Sequence, residues 1–136
     1  MKFLQDNVLN VTTGLICHQV NSSSPLNCKL MTKYPQAFSE YEKALSSVDN
    51  KWKLLGKYQI VEVVEGKLAV VNIFSLFHSM VEYSALYQAL KDLADEVDYN
   101  VPLYFPNDFD IVVDNGNIAE IIADTLGKHN VIICTN

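Results

Sequence analysis

An α/β fold with helices packed on a mixed central sheet is what this sequence predicts, and three observations carry the prediction. Segments patterned as strands alternate with segments patterned as helices along most of the chain. The run "LICHQV" (Leu15–Val20) is nearly all apolar, as in a strand covered on both faces. Tyr83, Leu86, Leu90, Leu93 and Val97 recur at alternating spacings of three and four, the stripe of an amphipathic helix.

The elements follow in order. Phe3 and Leu4 begin a first short strand and Leu15–Val20 form a second, with Gly14 as the turn between them. Ser24 before Pro25 reads as a helix start, a hydroxyl cap followed by proline at the first helical position, and Leu26 and Leu30 then share a face. Pro35 interrupts that pattern. Phe38, Tyr41 and Leu45 resume it in a second helix ending near Ser46. Tyr58–Val64 and Lys67–Phe74 flank a Glu65–Gly66 turn as a hairpin. The striped helix covers Glu82–Val97, a strand follows at Val101–Phe105, and a polar stretch runs from Pro106 to Asn117. Ile118–Leu126 form a helix stopped by Gly127, and Val131–Cys134 a last buried strand. No repeat or linker divides residues 1–136, so a single domain is expected.

Composition narrows the function. The chain has 136 residues and is 49% hydrophobic, enough for an ordinary core without disulfide or metal staples. Its formal net charge is −6 and every basic residue is lysine, so it lacks the cationic face that nucleic-acid backbones require. No apolar run approaches the ~20 residues of a membrane helix. The N-terminus "MKFLQDNVLN" meets Asp and Asn too early for a signal peptide. Cys17, Cys28 and Cys134 form no CxxC pair, which argues against structural zinc and fits a reducing cytoplasm. Cys17 and Cys134 read as buried strand residues. Cys28 is placed on the first helix with no neighbouring base to activate it. No cofactor motif occurs, and neither a Walker loop, a GxSxG elbow nor HExxH is present.

The order of elements, together with local strings, resembles the macro domain, the ADP-ribose-binding fold. "ICHQVN" (Ile16–Asn21) resembles the second-strand signature of small bacterial and phage members. "KYPQAFSEY" (Lys33–Tyr41) is similar to their first-helix ending, and "LLGKYQIVEV" (Leu54–Val63) to their Leu-Gly strand. "VVNIFSL" (Val70–Leu76) and "VEYSALYQAL" (Val81–Leu90) resemble the strand and helix that follow. These strings lie in order over nearly the whole chain. The resemblance points to the branch of ADP-ribose-1''-phosphate phosphatases and deacylases, and it implies a three-layer α/β/α sandwich. Two departures stand beside it. The loop after Asn21 reads "NSSSP", shorter than in the family and without glycine. The second ligand loop falls in "PNDFDIVVDNGN", where Asp108, Asp110 and Asp114 replace a glycine-rich diphosphate cradle. Carboxylates near a diphosphate repel it by about 1 kcal/mol each even when well solvated.

By that resemblance Asn21 matches a ribose-contacting asparagine, and Asn7, next to Asp6, matches an adenine-contacting aspartate. Asn21 is otherwise a strand-end cap or turn residue, and Asp6 and Asn7 are otherwise turn residues. His18 is either part of the ligand string or a satisfied core histidine. Ser22 and Ser23 stand in the first ligand loop, and Phe77 or Phe109 is placed to stack near a ribose. Both loops flank the ligand cleft in the family, so the resemblance implies that Asp110 would pair with His78 if the two loops meet. Asp114 is the candidate catalytic base, or else an Asp-Asn-Gly turn residue. The lysine that the deacylating branch places after its "VNIF"-like strand is missing, since Phe74, Ser75 and Leu76 stand there. Three readings result. One is a binder of ADP-ribose or a related nucleotide with weak or no hydrolase activity. Another is a degenerate module that engages a protein, such as a host factor if the chain is phage-encoded. The third is a pocket of altered shape for a different nucleotide derivative. The acidic run Asp92, Asp95, Glu96 and Asp98 is a solvated face or a contact for a basic partner.

Overall fold

The nearly continuous apolar runs of the central strands place apolar side chains on both faces of one sheet, and helices cover each face. A computed structural model of the chain describes residues 1–107 and 116–136. Among the described residues the sheet has seven strands: β1 (Lys2–Leu4), β2 (Gly14–Asn21), β3 (Tyr58–Val64), β4 (Leu68–Phe77), β5 (Met80–Val81), β6 (Pro102–Pro106) and β7 (Asn130–Cys134). Their order is β1-β7-β6-β2-β4-β3, with β5 also paired to β4. Strands β1, β7, β6, β2 and β4 are parallel, whereas β3 and β5 run antiparallel to β4.

The helices are α1 (Lys29–Lys33), α2 (Pro35–Ser46), α3 (Tyr83–Glu96) and α4 (Asn117–Leu126). On one face, Leu86, Leu90 and Leu93 of α3 and Ile118, Ile122 and Leu126 of α4 pack on Cys17, Val71, Ile73, Leu103 and Ile133. On the other, Leu30 and Met31 of α1 and Tyr41 and Leu45 of α2 pack on Ile16, Val20, Val70 and Phe74. His18 and Asn72 belong by alternation to this second face, and the β2–β4 register sets them side by side.

Several expectations need correction. β1 and β2 do not form a hairpin: a 3-10 turn (Val8–Asn10) separates them, and β1 pairs with β7 at the sheet edge. Ser24–Pro25 does not start a helix. Residues 25–28 carry no regular structure, and α1 begins at Lys29 with Cys28 at its cap. Leu26 is consequently exposed while Leu30 is buried. Pro35 is the first residue of α2 rather than only a break, where its missing N–H has no cost. β4 runs past Phe74 to Phe77 and turns through His78–Ser79 into β5, which the sequence reading did not include. The α3 and α4 helices, β3, the start of β4 and the last two strands lie where their patterns put them, to within a residue.

Gly14 opens β2 with φ of +100°, and a Cβ there would stand 2.9 Å from the Pro102 carbonyl oxygen. Both the backbone region and the contact demand glycine. Gly14→Ala is expected to lower unfolding free energy by about 2 kcal/mol in urea titration. An unchanged midpoint would show that the strand start relaxes freely.

Candidate functional site

Five parallel strands end on the same edge of the sheet, at Leu4, Asn21, Phe77, Pro106 and Cys134. From β2 the chain crosses toward β4 and β3, and from β6 it crosses the opposite way to β7. β2 and β6 are neighbours, so the strand order switches between them. Open α/β sheets leave a crevice at such a point, outside the carboxyl ends of the strands. A cleft of about 450 Å³ lies there, lined by Asn7, Val8, Leu9, His18, Cys28, Lys29, Leu30, Pro106 and Asn136. That volume is within the ~300–1,000 Å³ typical of small-molecule sites.

One wall is the segment after β1. Asp6 Oδ1 accepts from Asn7 N at 2.7 Å and from Asn10 Nδ2 at 2.8 Å, and Asn7 Oδ1 accepts from Leu9 N at 2.9 Å. These bonds form the cap that opens the 3-10 turn. The Asn10 amide and then the Asn7 N–H hold the Asp6 carboxyl below its ordinary range. Asn7 therefore lines the cleft with its oxygen engaged, while Asp6 is not among the lining residues.

The floor is His18, buried on β2. Its Nε2 lies 2.6 Å from Asn72 Oδ1. Asn72 Nδ2 donates to Ala37 O at 3.0 Å and to Gln59 Oε1 at 3.1 Å. The Asn72 oxygen is thereby left as acceptor, so His18 carries its proton on Nε2 and keeps a lone pair on Nδ1. Burial pushes His18 down to about 4, the Asn72 bond opposing only part of that shift. His18 is thus both a satisfied core histidine and a cleft residue. Cys28 Sγ stands 3.9 Å from His18 Nδ1, so the sequence expectation that Cys28 has no neighbouring base is corrected. That expectation failed because residues 25–28 are loop rather than helix, which turns Cys28 toward β2.

Asn21, at the end of β2, ties two loops together. Its Nδ2 donates to Ser23 Oγ and Ser24 O, both at 3.0 Å, and its Oδ1 accepts from Ser79 N at 2.9 Å. Ser23 Oγ also accepts from His78 N at 3.0 Å. His78 and Ser79 have φ of +50° and +62°, the left-handed pair of a tight two-residue hairpin turn. Ser22 is fully buried, its N–H on Leu76 O at 2.7 Å and its Oγ enclosed without a partner among the described residues. Phe77 stacks on the exposed Trp52 at 3.8 Å with 16° between the rings. His78 meets Phe77 edge-on. Asp108, Phe109, Asp110 and Asp114, and with them the His78–Asp110 pairing, lie outside the described residues.

The sequence reading singled out Asn7 and His18 of the residues that line the cleft, and the structure brings them together. It missed Leu9, Lys29, Asn136 and, behind the cleft, Asn72. Nothing local in the chain marks Asn72, whose role depends on the register that aligns β4 with β2. Among the described residues no group of His, Cys, Asp and Glu is placed to hold a metal ion, and no helix is long and apolar enough to cross a membrane.

Comparison with solved structures follows the same lines. A macrodomain protein from Streptomyces coelicolor superposes with a TM-score of 0.79 at 18% identity, covering 99% of this chain and 98% of that one. The macrodomain of Mycobacterium tuberculosis DarG gives 0.77 at 14% identity, with 99% and 97% covered. That of Thermus aquaticus DarG gives 0.74 at 13%, with the same shares. No protein-family model and no curated protein sequence matches the chain. The chain has the macrodomain fold, an α/β sandwich.

Proposed function

From the macrodomain fold as premise, we propose that this chain binds ADP-ribose or a closely related nucleotide derivative, with weak or no hydrolase activity. The observation that carries this reading is the cleft at the β2–β6 switch point, walled by side chains of suitable chemistry. Val8, Leu9, Leu30 and Pro106 supply apolar surface for a base. Asn7 supplies an amide for its edge, and Lys29 a cation for a phosphate.

Weak or absent hydrolysis is supported by Phe74, Ser75 and Leu76, which stand where the deacylating branch carries a lysine, and the first ligand loop points to a phosphate contact built differently from the family's. A phosphate cradle uses consecutive free N–H groups. Here Ser22 N is bound to Leu76 O, and Ser24 O is engaged by Asn21 and Tyr41. The loop is tied to β4 and α2 rather than opened by glycine. Asn21, Ser22, Ser23 and Phe77 are not among the residues that line the cleft; Asn21 and Ser23 tie the end of β2 to the His78–Ser79 turn, and Phe77 is held on Trp52.

Calorimetry with ADP-ribose tests the reading. Saturable heats are expected for the natural chain, and Cys28→Trp, which fills the cleft from an exposed position, should weaken binding at least about tenfold, or ~1.4 kcal/mol. Flat heats for both proteins would sink nucleotide binding. They would favour a second reading, a protein-interaction module, for which Trp52 and Met80 offer exposed apolar surface beside Phe77.

A further inference from the structure

We propose that Cys28 is a base-assisted nucleophile that accepts an acyl group from an activated ester or thioester, with His18 as the base and Asn72 as the residue that positions it. The inference uses the cleft only as a cavity and needs no nucleotide in it.

Three side chains from three separate segments stand in series. Cys28 Sγ is 3.9 Å from His18 Nδ1, and His18 Nε2 is 2.6 Å from Asn72 Oδ1. This is the order of nucleophile, base and orienting group that activates a thiol or hydroxyl on unrelated folds, and free enzymes often hold the first pair loosely. The tautomer is fixed from behind. Asn72 gives its amide hydrogens to Ala37 O and Gln59 Oε1, so only its oxygen is left for the imidazole. The lone pair on Nδ1 is the atom that faces Cys28.

The backbone that carries the thiol is held as well. Cys28 N donates to Asn27 Oδ1 at 2.8 Å, and Cys28 O accepts from Thr32 N at 2.9 Å. Its Sγ makes no cap bond to the helix. Cys28 is exposed and lines the cleft, whereas Cys17 and Cys134 are buried in the sheet. Burial holds His18 neutral down to about pH 4, which leaves Nδ1 unprotonated across the physiological range but makes it a weaker proton acceptor than an ordinary imidazole, so the proton must move in concert with sulfur–carbon bond formation. Around the pair, Lys29 adds a cation at the cleft, and Tyr41 on α2 remains a neutral phenol because burial raises it.

The step balances without an oxidant or a metal. A sulfur lone pair forms the bond to the carbonyl carbon while the thiol proton passes to His18 Nδ1. The tetrahedral adduct then breaks its bond to the leaving oxygen or sulfur, which departs with that electron pair and takes the proton from His18. The products are a Cys28 thioester and a free alcohol or thiol. Water then attacks the thioester and returns the thiol and a carboxylic acid.

The test treats the whole chain with p-nitrophenyl acetate, measures intact mass, and maps the adduct over a range of pH. One acetyl group on Cys28 is expected. Its rate should fall less than about threefold per unit below pH 8, because the free base and not a preformed thiolate sets it. An ordinary thiol loses about tenfold per unit below ~8.5. His18→Gln, which keeps a donor for Asn72 but has no base, should restore the ordinary profile while iodoacetamide still labels Cys28. If that variant does not fold, the wild-type profile decides alone. Absence of a Cys28 adduct, or a wild-type rate climbing tenfold per unit, would overturn the proposal whether or not ADP-ribose binds.

Discussion

Lowering the pH from 6.5 to 4 is expected to remove about 3 kcal/mol of folding stability through His18 alone. The unfolded imidazole takes up a proton near 6.5, whereas burial holds the folded one down to about 4. Between those values the unfolded state binds a proton that the folded state refuses. Stability therefore rises with pH across the window, is complete above 6.5, and is lost as the pH falls toward 4. The slope is about 1.4 kcal/mol per unit. Asp6 and Asp49 are also held low, Asp6 first by the Asn10 amide and Asp49 first by Lys53, but both are exposed and titrate below this window. Urea unfolding at several pH values measures the slope, and His18→Gln should flatten it. A variant as acid-sensitive as the natural chain would place the titrating group elsewhere. The same burial that makes the protein acid-labile keeps the Nδ1 lone pair available to Cys28.

How much of this was legible in the sequence depends on the range of the interactions involved. The α3 stripe and the β3–β4 hairpin are local patterns, and they fold as patterned. Ser24–Pro25 carries an equally good local signal for a helix start, yet it lies in a loop. There Tyr41, from α2, takes up Leu26 N and Asn21 O, bonds that a helix beginning at Pro25 would have to displace. Tertiary bonding overrode a cap motif. β1 was legible as a strand but not its partner, since pairing with β7 joins the two ends of the chain. In the site, His18 was visible as a polar residue within an apolar run. Its partners were not, because Asn72 and Cys28 approach it through strand register and loop path. The glycine-free "NSSSP" segment is held by bonds to Leu76 on β4 and Tyr41 on α2 as well as by Asn21, partners that no local pattern in the chain announces.

Tyr41→Ala is expected to cost about 3–5 kcal/mol, and Tyr41→Phe about 1–3 kcal/mol, and the difference separates two roles of one side chain. The ring is fully buried, with Phe38 and Phe74 at centroid distances of 5.9 and 6.0 Å. Truncation to alanine leaves a cavity between α2 and the sheet. The hydroxyl does something else. It donates to Asn21 O at 2.6 Å, with Ser24 O at 3.0 Å sharing the proton, and accepts from Leu26 N at 3.1 Å. It therefore clamps the segment that runs from the end of β2 toward Cys28. The phenylalanine variant keeps the packing and loses the clamp, leaving buried polar groups unpaired. It should unfold cooperatively at a lower urea midpoint, while hydrogen exchange quickens in residues 22–28 well before it quickens in α2. Released from that hold, Cys28 should no longer meet His18 at a fixed distance, and its acetylation should take on the steeper pH profile of a free thiol. A phenylalanine variant with wild-type exchange in 22–28 would show that Asn21 alone holds the loop. The hydroxyl would then matter to the core and not to the cleft.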